Sequence, residues 1–226
     1  MISVKGSKMF LGHYAVAFAA KKASPQTSLG TLFVASQFVD LLWPLFLLLG
    51  IEHVRIEEGI TAVTPLDFVD YPISHSLAGA LIWSVAFGAL YYMLRRQKRG
   101  ALVVGLCVLS HWFLDFLSHR PDLPLWFSGA MKVGAGLWNS VPGTILVEGG
   151  LFILGITLYL KSTRPKDKIG TAALWSLIGI LVVIAGLNYV TPPPPNVMSI
   201  AIVGNVSWLF VLWAFWADRH RDVGRK

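Results

Sequence analysis

Three residues four apart, His111, Asp115 and His119, lie in the stretch "SHWFLDFLSHRPDLP" (110–124), which is otherwise oily enough for a membrane helix. Residues at i, i+4 and i+8 share one stripe of a helix. His111 and Asp115 can therefore grip one ion together, as the paired histidines of H-E-x-x-H helices do. Imidazole nitrogen with carboxylate oxygen is the donor set of zinc centres and of manganese or iron hydrolase centres. Zinc fits this set best, and the single cysteine, Cys107, excludes both an intramolecular disulfide and a four-cysteine site. His119, one turn further on, is placed to act as an acid/base group or as a ligand to a second ion.

Other ionisable residues interrupt apolar runs in the same way: His13, Asp40, His75 and Glu148. Each costs about 2.5–3.5 kcal/mol inside a bilayer on insertion scales, so such groups face a cavity or one another. Taken singly, His13 reads as a packing histidine and Asp40 as a carboxylate bonded to Gln37 or to a neighbouring helix. The His111 and Asp115 pair, mid-span and four apart, reads as a site.

The elements that must position these groups are membrane helices. The chain has 226 residues, 55% hydrophobic and 14% charged, the composition of a membrane protein. Apolar runs of about 20 residues, enough to cross a bilayer, fall at 29–50, 73–94, 101–118, 141–160, 169–190 and 197–217. The expected fold is an all-α integral membrane protein of six transmembrane helices in one domain over 1–226. Residues 9–20, "MFLGHYAVAFAA", have the charge pattern of a signal peptide. His13 within the run and Lys21 and Lys22 after it favour a short retained or re-entrant helix instead.

The formal charge of +7 comes from clusters between the spans: "RRQKRG" (95–100), "KSTRPKDK" (161–168) and "DRHRDVGRK" (218–226). Such clusters are an orientation signal and place these connectors and the C-terminus in the cytoplasm; they do not form a nucleic-acid patch. Counting about 1.5 Å per residue from the basic ends puts His13 at about 12 Å, Asp40 and His111 at about 17 Å, Glu148 at about 20 Å and Asp115 at about 22 Å. His75 and His119 come out at about 28–30 Å, at the far surface. One polar cavity open to the outer side accounts for this band. The ionisable residues lie within 1–160, and the final helix pair, 161–226, reads as scaffold.

Around the mouth of that cavity, Ser74 is placed to cap the helix that His75 opens, and Asp67 and Asp70 lie beside it in sequence. Arg120 and Asp122 flank His119, and Trp138 and Asn139 precede the helix of Glu148. The Arg120 fork suits a phosphate or carboxylate. His53 and His220 lie in polar flanks and read as solvated.

In order along the chain, "GHYAVAF", the Asp of "QFVDLLW", "SHSLAG" and "SHWFLD" resemble the motif series of the bacterial membrane-bound metal-dependent hydrolases, multi-span inner-membrane proteins. The resemblance covers about residues 10–120, with a looser match as far as Glu148. It implies His13, Asp40, His75, His111 and Asp115 as the metal-binding set. Many members carry an Asp-x-Asp pair where this chain has one Asp in "SQFVDLLWP", which argues against a two-metal centre. The function expected is hydrolysis of a phosphoester or ester in a lipid or amphiphile reached from the outer leaflet, with Glu148 or His119 moving the proton and Arg120 seating the substrate. A transporter or channel for protons or a divalent cation is the alternative, although no inverted repeat and no Gly/Pro-broken helix pair marks one. A non-catalytic membrane scaffold is the third reading. Nothing in the sequence fixes an oligomeric state.

Overall fold

The computed structural model describes residues 11–224. The bundle contains six helices long and apolar enough to span a membrane. They are α2 (Leu29–Leu48), α4 (Leu77–Arg95), α5 (Lys98–Ser118), α6 (Val141–Ser162), α7 (Lys168–Leu187) and a broken sixth made of α8 (Val197–Asn205) and α9 (Ser207–Arg219). A shorter helix, α1 (Leu11–Ala23), lies among them, and a one-turn helix, α3 (Pro72–His75), precedes α4. The expected six spans and short N-terminal helix are present.

Polar caps set where the helices begin, because the first turn leaves amide donors unpaired. Ser28 accepts from the Thr31 amide at 3.2 Å, Ser140 from Gly143 at 3.1 Å and Asp167 from Gly170 at 2.8 Å. For α4 the cap is Ser76, which accepts from the Gly79 amide at 2.9 Å, and not Ser74 as the sequence suggested. Two short antiparallel hairpins, β1 (His53–Ile56) with β2 (Leu66–Asp70) and β3 (Leu123–Pro124) with β4 (Lys132–Val133), and one antiparallel pair of strands remote in sequence, β5 (Thr163–Pro165) with β6 (Arg221–Val223), close the ends.

The basic connectors gather at one end. There Lys21, buried at the end of α1, donates to the Thr27 carbonyl at 3.0 Å and pairs with Asp218 of α9 at 2.9 Å. Arg221 donates to the Thr163 hydroxyl at 3.1 Å and lies over the Tyr159 ring. The two hairpins cover the opposite end.

Small residues bring the backbones together, as they must where lipid gives helices no hydrophobic reason to associate. A Cβ on Gly155 of α6 would stand 2.4 Å from the Ala15 carbonyl oxygen of α1. Gly105 of α5 meets Ser84 of α4, whose hydroxyl donates to the Gly105 carbonyl at 2.8 Å. These contacts fix α1 and α5, the helices that carry His13, His111 and Asp115. Two apolar clusters fill the bundle. One includes Phe18, Phe33 and Val108 toward the basic end, and the other includes Trp43, Phe68 and Trp138 toward the opposite end. Asp40 falls between Phe33 and Trp43 on α2, and His111 between Val108 and Trp112 on α5, so a polar layer separates the two clusters.

Candidate metal centre

Four separate elements deliver five polar side chains to this layer. His13 comes from α1, Asp40 from α2, His75 from the end of α3, and His111 and Asp115 from α5. His13 Nε2 lies 3.2 Å from Asp115 Oδ1, and His111 Nε2 lies 3.4 Å from Asp115 Oδ2. His75 Nε2 lies 3.5 Å from Asp40 Oδ1 and 3.8 Å from Asp115 Oδ2, while His111 Nε2 lies 3.8 Å from Asp40 Oδ2. The His13 and His111 rings stack in parallel, centroids 3.5 Å apart.

These separations sit at or beyond the upper end of hydrogen bonding. The separations of 3.2–3.5 Å match donors arranged around a common point, since atoms about 2.1 Å from an ion lie about 3.0 Å apart at right angles and about 3.4 Å apart at tetrahedral angles, and the two of 3.8 Å lie outside that range. Two groups, His13 with His111 and Asp115, and Asp40 with His75 and His111, each place one donor atom per residue within 4.8 Å of the others. Either group, the first fully buried and the second with Asp40 partly exposed, could hold a metal ion. His111 belongs to both and offers a single Nε2 lone pair, so the two groups share one ion more readily than they hold two.

The unpaired atoms point the same way. Buried polar atoms are normally hydrogen-bonded, yet His111 Nε2 and Asp115 Oδ2, which face each other, have no such partner among the described residues. His111 Nε2 and Asp115 Oδ2 would both be satisfied as ligands to a metal ion.

The outer faces of the imidazoles are held so that Nε2 is the donor atom. His111 Nδ1 donates to the Ser36 carbonyl at 2.7 Å. His75 Nδ1 lies 2.6 Å from Ser74 Oγ, and Ser74 Oγ donates to Glu52 Oε2 at 2.5 Å. Because the only hydroxyl proton of Ser74 goes to Glu52, the proton between Ser74 and His75 belongs to the imidazole. The His75 Nε2 lone pair is then left facing Asp40 and Asp115. Glu52 is 1% exposed, and its Oε1 accepts from the Ile73 and Ser74 amides, each at 2.8 Å. Partners of this kind orient metal-binding histidines and raise their basicity.

Sequence reasoning gives Glu52 and Ser36 no part in the site, and Ser74 only that of a helix cap. Glu52 sits in a connector rich in acids, and nothing in its spacing separates it from its exposed neighbours Glu57 and Glu58. Ser36 acts through its backbone, which no side-chain pattern reports. The depth count also misplaces His75, which meets Asp40 and Asp115 in the polar layer instead of lying with His119 at the surface. Such a count takes one helix starting at the surface, whereas α3 ends on His75 and α4 begins afresh after Ser76.

The three residues expected to do chemistry lie around the cluster. Glu148 Oε2 accepts from the Leu11 amide at 2.8 Å, fixing the start of α1 two residues before His13. His119 Nδ1 donates to Asp122 Oδ1 at 2.8 Å, and its ring packs against Phe68 and Trp138. The Tyr71 hydroxyl, 3.3 Å from His119 Nδ1, donates to the Asp122 carbonyl at 3.2 Å. Burial, reinforced by the Asp122 carboxylate, raises the Tyr71 phenol well above its ordinary range, so it stays a neutral donor. Arg120 pairs with Asp122 at 3.0 Å and with Asp67 at 2.5 Å, which occupies the fork expected to seat a substrate. His220 bonds Asp167 at 2.8 Å, while the side chain of His53 is largely exposed.

Asp40 also stands on the wall of a cavity of about 380 Å³. Gln37 and Pro44 of α2 line it with Ile184 of α7, the proline turn at 192–195, and Ile200, Val203 and Phe210 of α8 and α9. The C-terminal helices, expected to be scaffold alone, therefore build much of the space next to the cluster. Apolar walls carry no ionisable marker, so nothing in their sequence distinguishes them from lipid-facing helix.

Fold and cluster together define a multi-span helical membrane protein with a buried histidine and aspartate group able to hold a metal ion. Comparison with protein-family models, with curated proteins and with solved structures finds no match.

Proposed function

We propose that this chain is a membrane-embedded, metal-dependent hydrolase acting on an ester or phosphoester of a lipid or amphiphile, of the type its motif series resembles. The observation that carries the reading is the convergence of three imidazole Nε2 atoms and two carboxylates in one buried layer, with His111 Nε2 and Asp115 Oδ2 lacking hydrogen-bond partners among the described residues. Zinc suits this set best, and manganese or iron accept the same donors. A divalent ion there supplies Lewis acidity and a water acidified toward neutral pH.

The chain's own residues divide the remaining work. Ser36 and the Glu52–Ser74 pair hold His111 and His75 with Nε2 turned inward. Glu148 fixes α1 and with it His13. His119, oriented through Nδ1 by Asp122, follows the pattern of a base held by a carboxylate and is the proton carrier in this reading. The basic end faces the cytoplasm by the positive-inside rule, the resemblance implies a bacterial inner membrane, and in this reading substrate reaches the site from the outer leaflet.

The test is turnover of single-chain ester and phosphoester amphiphiles by detergent-purified protein, metal-stripped and then reloaded. Hydrolysis that returns with zinc or manganese and is absent in His111→Ala supports the proposal. Loss of metal-dependent turnover on both substrate classes, with metal flux in proteoliposomes instead, refutes it in favour of transport.

A further inference from the structure

The cavity beside Asp40 has a chemistry of its own. Among the described residues, Asp40 is the only charged side chain on its wall, and no Lys or Arg lines it. Gln37, Asn188 and Ser207 contribute neutral polar groups, and Ile200, Val203 and Phe210 form the apolar side. Its volume of about 380 Å³ lies near the lower end of small-molecule sites, a fit for one chain and not for a two-chain phospholipid. Arg120, the natural seat for a phosphate, does not line it and is paired with Asp67 and Asp122.

A second observation concerns Gln37. It is 3% exposed, and its Nε2 has no hydrogen-bond partner among the described residues. It lies three residues before Asp40 on α2, on the same side of the helix. A buried amide donor left unpaired is costly, and an acceptor oxygen on a ligand in this cavity relieves that cost.

We propose that the cavity binds an uncharged single-chain acyl ester, with its chain between α2 and α8–α9 and its carbonyl oxygen accepting from Gln37 beside Asp40. The inference rests on the hydrolytic reading and narrows its substrate. In the reaction the oxygen of water bonds to the carbonyl carbon, and the carbon–oxygen bond to the alcohol breaks. One proton of the water goes to the alcohol oxygen and the other to solvent, leaving the acid as a carboxylate. An anionic phosphoester finds no Lys or Arg on this wall to pair with its charge.

The test is equilibrium binding of 2-tetradecanone, a non-hydrolysable counterpart of the ester, to the full chain in nanodiscs, with tetradecyl phosphate as competitor. The variants are Gln37→Met, which removes the donor, and Val203→Trp, which fills the cavity from a residue that is 67% exposed and so puts no strain on the core. The expected result is one ketone per chain, about tenfold weaker binding in Gln37→Met, none in Val203→Trp, and no displacement by the phosphate. Gln37→Met should unfold at the wild-type temperature or above, because the donor it removes has no partner among the described residues. Wild-type affinity in Gln37→Met, ketone binding in Val203→Trp, or displacement by the phosphate overturns the proposal. Ketone binding needs no metal, so the two readings fail separately. Metal-loaded protein that ignores the ketone refutes the cavity assignment alone, and protein that binds ketone but never metal refutes the hydrolytic reading alone.

Discussion

Replacing Glu52 by Gln changes one atom and reverses the direction of the hydrogen-bond chain that runs through Ser74 to His75. Glu52 Oε1 accepts two backbone amides at 2.8 Å, and Oε2 accepts the Ser74 hydroxyl at 2.5 Å. Gln keeps the two amide bonds only by turning its carbonyl oxygen toward them, which points its NH2 at Ser74 Oγ. Of the two acceptors then left to the Ser74 hydroxyl, His75 Nδ1 at 2.6 Å and the Tyr71 carbonyl at 3.5 Å, the nearer imidazole takes the proton and carries its own on Nε2, the atom that faces Asp40 and Asp115. The opposite orientation sets NH2 against two N–H donors and loses both bonds. The direct cost to folding is one hydrogen bond to a charged group, about 1.5–3 kcal/mol. The cost to metal binding is that of disabling one ligand through its outer partner, about 10–100-fold, or about 1.4–2.7 kcal/mol. The assay is competition for zinc against a chromophoric chelator in detergent, with thermal unfolding in parallel. Asp70→Asn, which alters an exposed neighbouring acid, is the control and should bind zinc as the wild type does. Folded Glu52→Gln protein with zinc affinity within about twofold of wild type would refute the argument from hydrogen-bond polarity.

Packing and charge elsewhere in the bundle set three further outcomes. Gly155→Leu drives a side chain into the Ala15 backbone, so it should destabilise the bundle by about 1–3 kcal/mol and lower metal occupancy by moving His13, whereas Gly149→Ala, with open space around it, should leave the unfolding temperature unchanged. Glu148→Gln keeps an oxygen for the Leu11 amide and should retain both metal and turnover, while Glu148→Ala should lose metal; loss of turnover alone in Glu148→Gln would return Glu148 to the role of proton carrier. At the basic end, the bond from His220 and then the Gly170 amide hold the Asp167 carboxyl below its ordinary 3.8. Its folded value is depressed, so its contribution is present above the ordinary value and is lost as pH falls through the folded one. Asp167→Asn should therefore flatten the acid limb of the unfolding curve, and an unchanged limb would contradict the assignment.

Hydropathy alone marks the six spans, because lipid demands about 20 apolar residues per crossing whatever the helices do next. The pair His111 and Asp115 is equally visible, since spacing within one helix translates directly into a shared face. The rest of the site is tertiary. His75 reaches Asp40 because the chain pauses in a one-turn helix before α4, and rise per residue cannot register such a break. Glu52 is buried where its carboxylate accepts from the Ile73 and Ser74 amides of α3, a contact with a segment more than 20 positions further along the chain. The cavity wall of α8 and α9 is illegible for a different reason: a helix face lining an apolar cavity and one facing lipid use the same residues.

The central claim is that the polar layer holds a metal ion. The direct measurement is elemental mass spectrometry on protein purified in mild detergent without chelators, beside His111→Ala and Asp115→Ala. One zinc, manganese or iron per chain in the wild type, falling to background in both variants while they remain folded, is the predicted result. Wild-type protein without stoichiometric metal, or variants that keep it, would contradict the account.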